Sequence, residues 1–313
     1  MEIKDYVSGD EIAILDLFEK VFGKSMSFEY WKWRFRDNPI NKYMIKLMWV
    51  DSQLVGHYAV CPVLLQKKQT LVLSGLSMTT MTHPEYTGLG IFQHLSQELY
   101  QDIQKQYDVE LVWGFPNQNS HRNFIKNLSW RNIAILPILS LPVDEIKPIR
   151  SSLLRSVDFF NEVHEKSWNF IFRKYQLKVN KSSTYLNWRY VNIPEVSYKI
   201  IEVQNGTSGF LVIKEFTVEQ SKKKQIDIVE WSIDKDERLT KVIFQHLAAI
   251  YPYELYEKFN IWMPLNDERH LYLEKLGFTQ GMPLTYFACK EFNEGLFVSE
   301  NDCWIQLGDS DVY

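Results

Sequence analysis

The stretch HPEYTGLGIFQHLSQELY, His83 to Tyr100, sets two glycines directly ahead of a helical pattern. Ile91, Leu95 and Leu99 recur at helical spacing, and Gly88 and Gly90 precede them. A helix start carries unpaired N–H groups and the positive end of the helix dipole. Glycines let the backbone turn sharply there and come close to an anion, so the stretch reads as a phosphate site. The pentapeptide IFQHL returns at Ile243, in SIDKDERLTKVIFQHLAAIY. At the places of the glycines stand Thr240 and Val242, whose Cβ atoms would obstruct an anion, and Asp234, Asp236 and Glu237 add negative charge nearby.

The repeat extends outward in both directions. Tyr30, Trp33, Arg34, Pro39 and Tyr43 match Tyr185, Trp188, Arg189, Pro194 and Tyr198 at one constant offset. Farther on, FIKNLSW (Phe124 to Trp130) echoes YLEKLGF (Tyr272 to Phe278). Three ordered matches point to duplication, with halves 1–147 and 148–313. In the first half, 10–22 and 28–35 read as helices, and 44–50, 54–65 and 72–82 as strands. Then follow a helix over 90–107, a strand over 109–114, a helix over 120–127 and closing strands over 133–143. Consecutive strands without helices between them are antiparallel hairpins, and only the later crossover makes parallel neighbours. The expected fold class is α/β, with a mixed α+β sheet in each of two tandem domains, the second degenerate.

Composition narrows the function. The chain has 313 residues, 45% hydrophobic and 24% charged, with a formal net charge of −4. A nucleic-acid surface usually needs a basic face, which this balance does not announce. The cysteines, Cys61, Cys289 and Cys303, are widely spaced, which argues for a reducing compartment and against a disulfide framework or zinc site. The start has no signal-peptide pattern, and the longest apolar run, Ile133 to Val143, is too short to span a bilayer. A cytoplasmic protein with no membrane, nucleic-acid or metal partner is expected.

A dinucleotide fold needs a third glycine where Gln93 stands, and the preceding hairpins fit it poorly. No GK[ST] follows the glycines, which excludes a P-loop. HPEYTGLGIFQHL instead resembles the pyrophosphate loop of the GNAT superfamily of N-acyltransferases, with Glu85 in the place of the usual Arg or Gln. FIKNLSW resembles that family's later FYEKLGF-type helix, and the element order matches as well. The resemblance implies that the backbone of Thr80, Met81 and Thr82 pairs with the pantetheine arm of an acyl-coenzyme A. It further implies that Thr87, Gly88, Leu89, Gly90, Ile91, Phe92 and Gln93 hold the pyrophosphate, and that Asn117, Asn119 and Ser120 line the rest. Only the first half is expected to bind the coenzyme.

The reaction implied is attack of a neutral amine on a thioester, which needs a proton acceptor and a donor for the oxyanion. A backbone N–H near Met81 suits the second role. His121, just after the coenzyme-lining loop, is the favoured base over His57 and His83. Ile125 stands where many family members carry a tyrosine acid. Trp33 and Arg34 can stack on a base and bind a phosphate, yet Trp188-Arg189 repeats them where no loop exists, which favours packing. Trp113, Glu230 and Trp231 complete the acceptor-contact candidates.

The tandem halves and the run CWIQLGDSDVY (Cys303 to Tyr313) resemble nucleotide-linked sugar N-acyltransferases of bacterial polysaccharide loci, the FdhC type. That resemblance implies acyl transfer from acetyl-CoA, or a short-chain acyl-CoA such as hydroxybutyryl-CoA, to a dTDP-type amino-deoxy sugar. Other readings are a tandem GNAT acting on another small amine or peptide, transfer from aminoacyl-tRNA, and an inactive coenzyme A-binding scaffold.

Overall fold

A computed structural model describes residues 1–204, 209–217, 221–292 and 299–311. In chain order, the first half runs β1 (Glu2–Asp5), α1 (Glu11–Phe22), α2 (Phe28–Trp31, continued by a π-helical turn to Arg36) and β2 (Ile45–Val50). There follow β3 (Gln53–Lys67), β4 (Thr70–Thr82), α3 (Ile91–Tyr107), β5 (Leu111–Gly114), α4 (Gln118–Asn127) and β6 (Arg131–Pro142). The same order then recurs. It runs β7 (Leu154–Val157), α5 (Glu162–Ile171), β8 (Leu177–Val179), α6 (Ser183–Tyr190), β9 (Tyr198–Val203), β10 (Gly209–Thr217) and β11 (Lys224–Ser232). It ends with α7 (Glu237–Ile250), β12 (Tyr256–Ile261), α8 (Glu268–Lys275), β13 (Thr279–Glu291) and β14 (Cys303–Trp304). Strands β8 and β14 have no counterpart in the first half. The fold is a mixed α/β fold, as the hydrophobic periods predict.

The chain forms two compact units, and neither is one continuous stretch. The first comprises 1–134, 193–195 and 286–298; the second comprises 135–192, 196–285 and 299–313. In the first unit, β1 to β4 are joined by antiparallel pairings, and β4 and β5 run parallel. The far edge of β5 pairs antiparallel with the end of β13, where Ala288 faces Gly114. In the second unit, β6 pairs antiparallel with β12, β12 runs parallel to β11, and β11, β10, β9 and β7 follow antiparallel. The closing strand expected for the first half therefore packs largely in the second unit, and β5 takes its partner from β13 instead.

Strands β4 and β5, and likewise β11 and β12, are parallel and joined through one helix, because only a crossover returns a strand in the same direction. Helix α3 buries Ile91, Leu95, Leu99 and Ile103 against Tyr58, Val60, Val112, Phe124 and Trp130. Those four residues recur every four positions, so they form one stripe, and each adds roughly 1.5–3 kcal/mol when buried. Helix α7 repeats the arrangement in the second unit, where Phe244 packs on Trp231, Phe259 and Phe278. Among the described residues, no helix is long and apolar enough to cross a membrane.

Candidate active site

The site begins where β4 and β5 part. Their pairing covers Ser74 to Leu76 on β4 and Leu111 to Trp113 on β5, after which β4 continues to Thr82 with, among the described residues, a partner on one side only. A bulge between Met78 and Met81 helps to open the edge, with Thr79 at φ 51°. His57 braces it from β3, with Nδ1 2.7 Å from the Thr79 carbonyl. Burial lowers the His57 pKa to about 4, so the ring is neutral and donates this bond. A buried ring of that pKa is a poor proton acceptor at neutral pH, which removes His57 as a base.

The register decides which amides are open. His83 N–H donates to Val55 O, and Met81 lies opposite His57. Alternation along the strand thus turns Met81 N–H towards β3, and turns Thr82, with Thr80 two residues before it, to the open side. The open amides near Met81 are thus those of the two threonines, on either side of it.

The chain then passes a short 3-10 turn, Pro84–Tyr86, into the glycine segment. Gly88 has φ 81° and Gly90 φ 73°, the left-handed region that favours glycine. Thr87 to Gly90 are exposed. Gly90 is the N-cap of α3 and offers no side chain to it. Among the described residues, the N–H groups of Gly88, Leu89, Gly90, Ile91, Phe92 and Gln93 meet no acceptor. An uncapped, exposed helix start with two left-handed glycines is chemically suited to a diphosphate.

Strands β4 and β5 are parallel, so the segments that follow them leave the sheet at the same end. After β5, Asn117 caps α4: its side chain accepts from Asn119 N and Ser120 N, each at 3.0 Å. Its carbonyl oxygens are therefore committed to the helix, while Asn119 is exposed and Ser120 half-buried. His121 is half-buried and stacks on Tyr286, with ring centroids 4.0 Å apart and planes at 21°. Its Nε2 lies 3.3 Å from Asn132 Oδ1, so with that oxygen accepting, Nε2 carries the proton and Nδ1 keeps the lone pair. Tyr286 and Asn132 had no sequence signal, because contact with His121 arises only from strand placement. His83 is structural, accepting from Glu85 N to start the short turn.

The acceptor-contact candidates lie as follows. Trp33 is 4% exposed, and Arg34 is buried with its guanidinium on Tyr30 Oη at 2.8 Å. Trp113 is buried with Nε1 on Ser74 Oγ at 2.9 Å. Glu230 and Trp231 are fully buried in the second unit, and the Glu230 carboxylate is taken by Lys181, Tyr190 and Gln306. All five side chains are buried in the interior.

The second half differs at the helix start. Thr240 and Val242 do not sit in a loop at all but inside α7, which begins at Glu237, six residues ahead of its IFQHL. Asp236 caps that helix by accepting from Leu239 N at 2.9 Å. A carboxylate occupies the place that an anion would need. The loss expected from obstructing Cβ atoms is in fact a loss of the loop.

Residues 2–132 match the family model of the acetyltransferase (GNAT) domain. A search of curated proteins finds no match. Among solved structures, the chain is similar to a GCN5-related N-acetyltransferase from Anabaena variabilis, with TM-score 0.71 and 14% identity over 93% of this chain and 73% of that one. It is also similar to a probable N-acyltransferase from Enterococcus faecalis, with TM-score 0.68 and 15% identity over 93% and 72%. Saccharomyces cerevisiae N-myristoyltransferase with bound myristoyl-CoA follows, with TM-score 0.64 and 11% identity over 92% and 82%. At these identities the likeness is one of fold. Residues 2–132 thus match a GNAT acetyltransferase domain, and the chain as a whole shares the fold of these N-acyltransferase structures.

Proposed function

We propose that the first half, residues 1–147, binds the acyl donor along the open edge of β4, and that the second half, 148–313, binds none. The observation that carries this is the unpaired edge at Thr80 and Thr82 leading into the uncapped start of α3. Those outward amides suit a chain of secondary amides, and an N–H among them suits a developing oxyanion. Glycine-turned N–H groups from Gly88 to Gln93 suit the diphosphate. His121, oriented by Tyr286 and Asn132, is the proton acceptor for the incoming amine through Nδ1. Ile125 leaves the thiolate without a tyrosine acid, and a thiol pKa of about 8.5 makes it a tolerable leaving group unaided.

The acceptor we propose is the amino group of a nucleotide-linked, dTDP-type amino-deoxy sugar of surface polysaccharide synthesis, with an acetyl or short hydroxyacyl group transferred in the cytoplasm. Its support is the sequence resemblance; the buried aromatics expected to stack the base lend it none. The test measures acyl transfer from acetyl-CoA and hydroxybutyryl-CoA to free amino sugars, nucleotide-linked amino sugars, polyamines and peptides. Nucleotide-linked amino sugars should react fastest. Faster acylation of peptides or polyamines would refute the sugar reading and leave the N-acyltransferase.

A further inference from the structure

The segment Cys303–Ser310 is buried at every residue. It enters the second unit as β14, paired parallel with β8, and Trp304 stacks on Phe172 at 4.4 Å. What it does next follows from the strand beside it. Strands β11 and β12 pair only as far as Ile228 and Ile261. Beyond that point β11 runs on to Ser232 with β10 as its neighbour, as β4 does after parting from β5.

Two backbone groups on the open side and at the end of β11 have partners. Trp231 N–H donates to the side-chain oxygen of Gln306. The Ile233 carbonyl accepts from Arg269 Nη1 at 2.8 Å. A Cβ on Gly308 would overlap Tyr190 Oη and lie 3.0 Å from the Val229 carbonyl, so only glycine lets the segment lie so close. The segment is also pinned by charge. Asp309 accepts from Gln306 N at 2.8 Å with one oxygen and from Lys181 with the other. Lys181 in turn holds Glu230, whose second oxygen accepts from Gln306 Nε2 at 2.7 Å.

We propose that this edge of β11 is a second donor-type groove, and that its ligand is the chain's own segment Gln306–Ser310. The Gln306 side-chain amide takes the backbone N–H that a secondary amide of an acyl donor would otherwise take, so the second half is sealed from within. The likeness to a donor groove rests on the function proposed above; the seating of the segment does not.

The experiment is amide hydrogen exchange on the full chain, wild type and Gln306→Leu, with calorimetric titration of coenzyme A into both. In the wild type the Trp231 amide and the segment should be protected. In Gln306→Leu the Trp231 amide should exchange about tenfold faster, the scale of one lost hydrogen bond. Equal exchange at Trp231 in the two proteins, or two coenzymes bound per wild-type chain, would overturn the proposal. A wild-type chain that binds no coenzyme, with Trp231 still protected, would instead overturn the function proposed for the first half and uphold the seating.

Discussion

Gly90 and His57 show how single residues shape the donor site. Gly90 sits at φ 73°, and the nearest atom to an added Cβ is His94 Cε1 at 3.9 Å. The obstacle to a side chain is therefore backbone conformation, not space, and a left-handed residue costs about 1–2 kcal/mol. Gly90→Val should relieve that strain by turning the segment and misdirecting its N–H groups. Calorimetry should show coenzyme A binding lost in Gly90→Val and kept in Thr240→Val, whose side chain lies inside α7. His57 makes a different prediction. Burial holds its pKa at about 4, while in the unfolded chain it is near 6.5. Between those values the unfolded chain binds the extra proton, so stability is intact above about pH 6.5 and falls as the pH drops towards 4. The loss at pH 4 is on the order of 3 kcal/mol. Urea unfolding at pH 7 and pH 4.5 should show a smaller acid loss in His57→Gln than in wild type; equal losses would refute the account.

At the scale of elements, α3 and α7 share the sequence IFQHL and start differently. Helix α3 begins at its isoleucine behind a glycine, whereas α7 extends six residues farther and is capped by Asp236. A capped helix start has spent its N–H groups and carries its own negative charge. Asp236→Ala should cost about 1 kcal/mol of stability, as measured by thermal unfolding. It should add no second coenzyme A site, because the extended helix still lacks the glycine turn. A second site appearing in that variant would show that charge alone separates the two helices.

For the whole molecule, the exchange of closing strands sets the folding unit. The edge of β5 pairs with residues Ala288 to Glu291, and Ala288 belongs to the first unit's core. A fragment of residues 1–147 would lack that strand, exposing the β5 edge and opening the core. It should show no cooperative unfolding and should aggregate, and co-expression with 148–313 should restore a soluble, cooperatively unfolding pair. A monomeric, cooperatively unfolding 1–147 would contradict this.

Local pattern was enough for the repeat, the order of elements and the glycine turn. Helical spacing at Ile91, Leu95 and Leu99, and a left-handed requirement at Gly88 and Gly90, depend on neighbours in the chain, and these positions behave as their local chemistry dictates. Tertiary structure decided what depends on residues far apart. Glu230 and Trp231 stand among the acceptor-contact candidates in sequence but are buried, because Lys181, Gln306 and Asp309 converge there from distant segments. Tyr286 reaches His121 only through the pairing of β13 with β5. Burial and strand register follow from the global packing, in which a single alternation sends Met81 towards β3 and Thr82 to the open side; no local spacing encodes that choice.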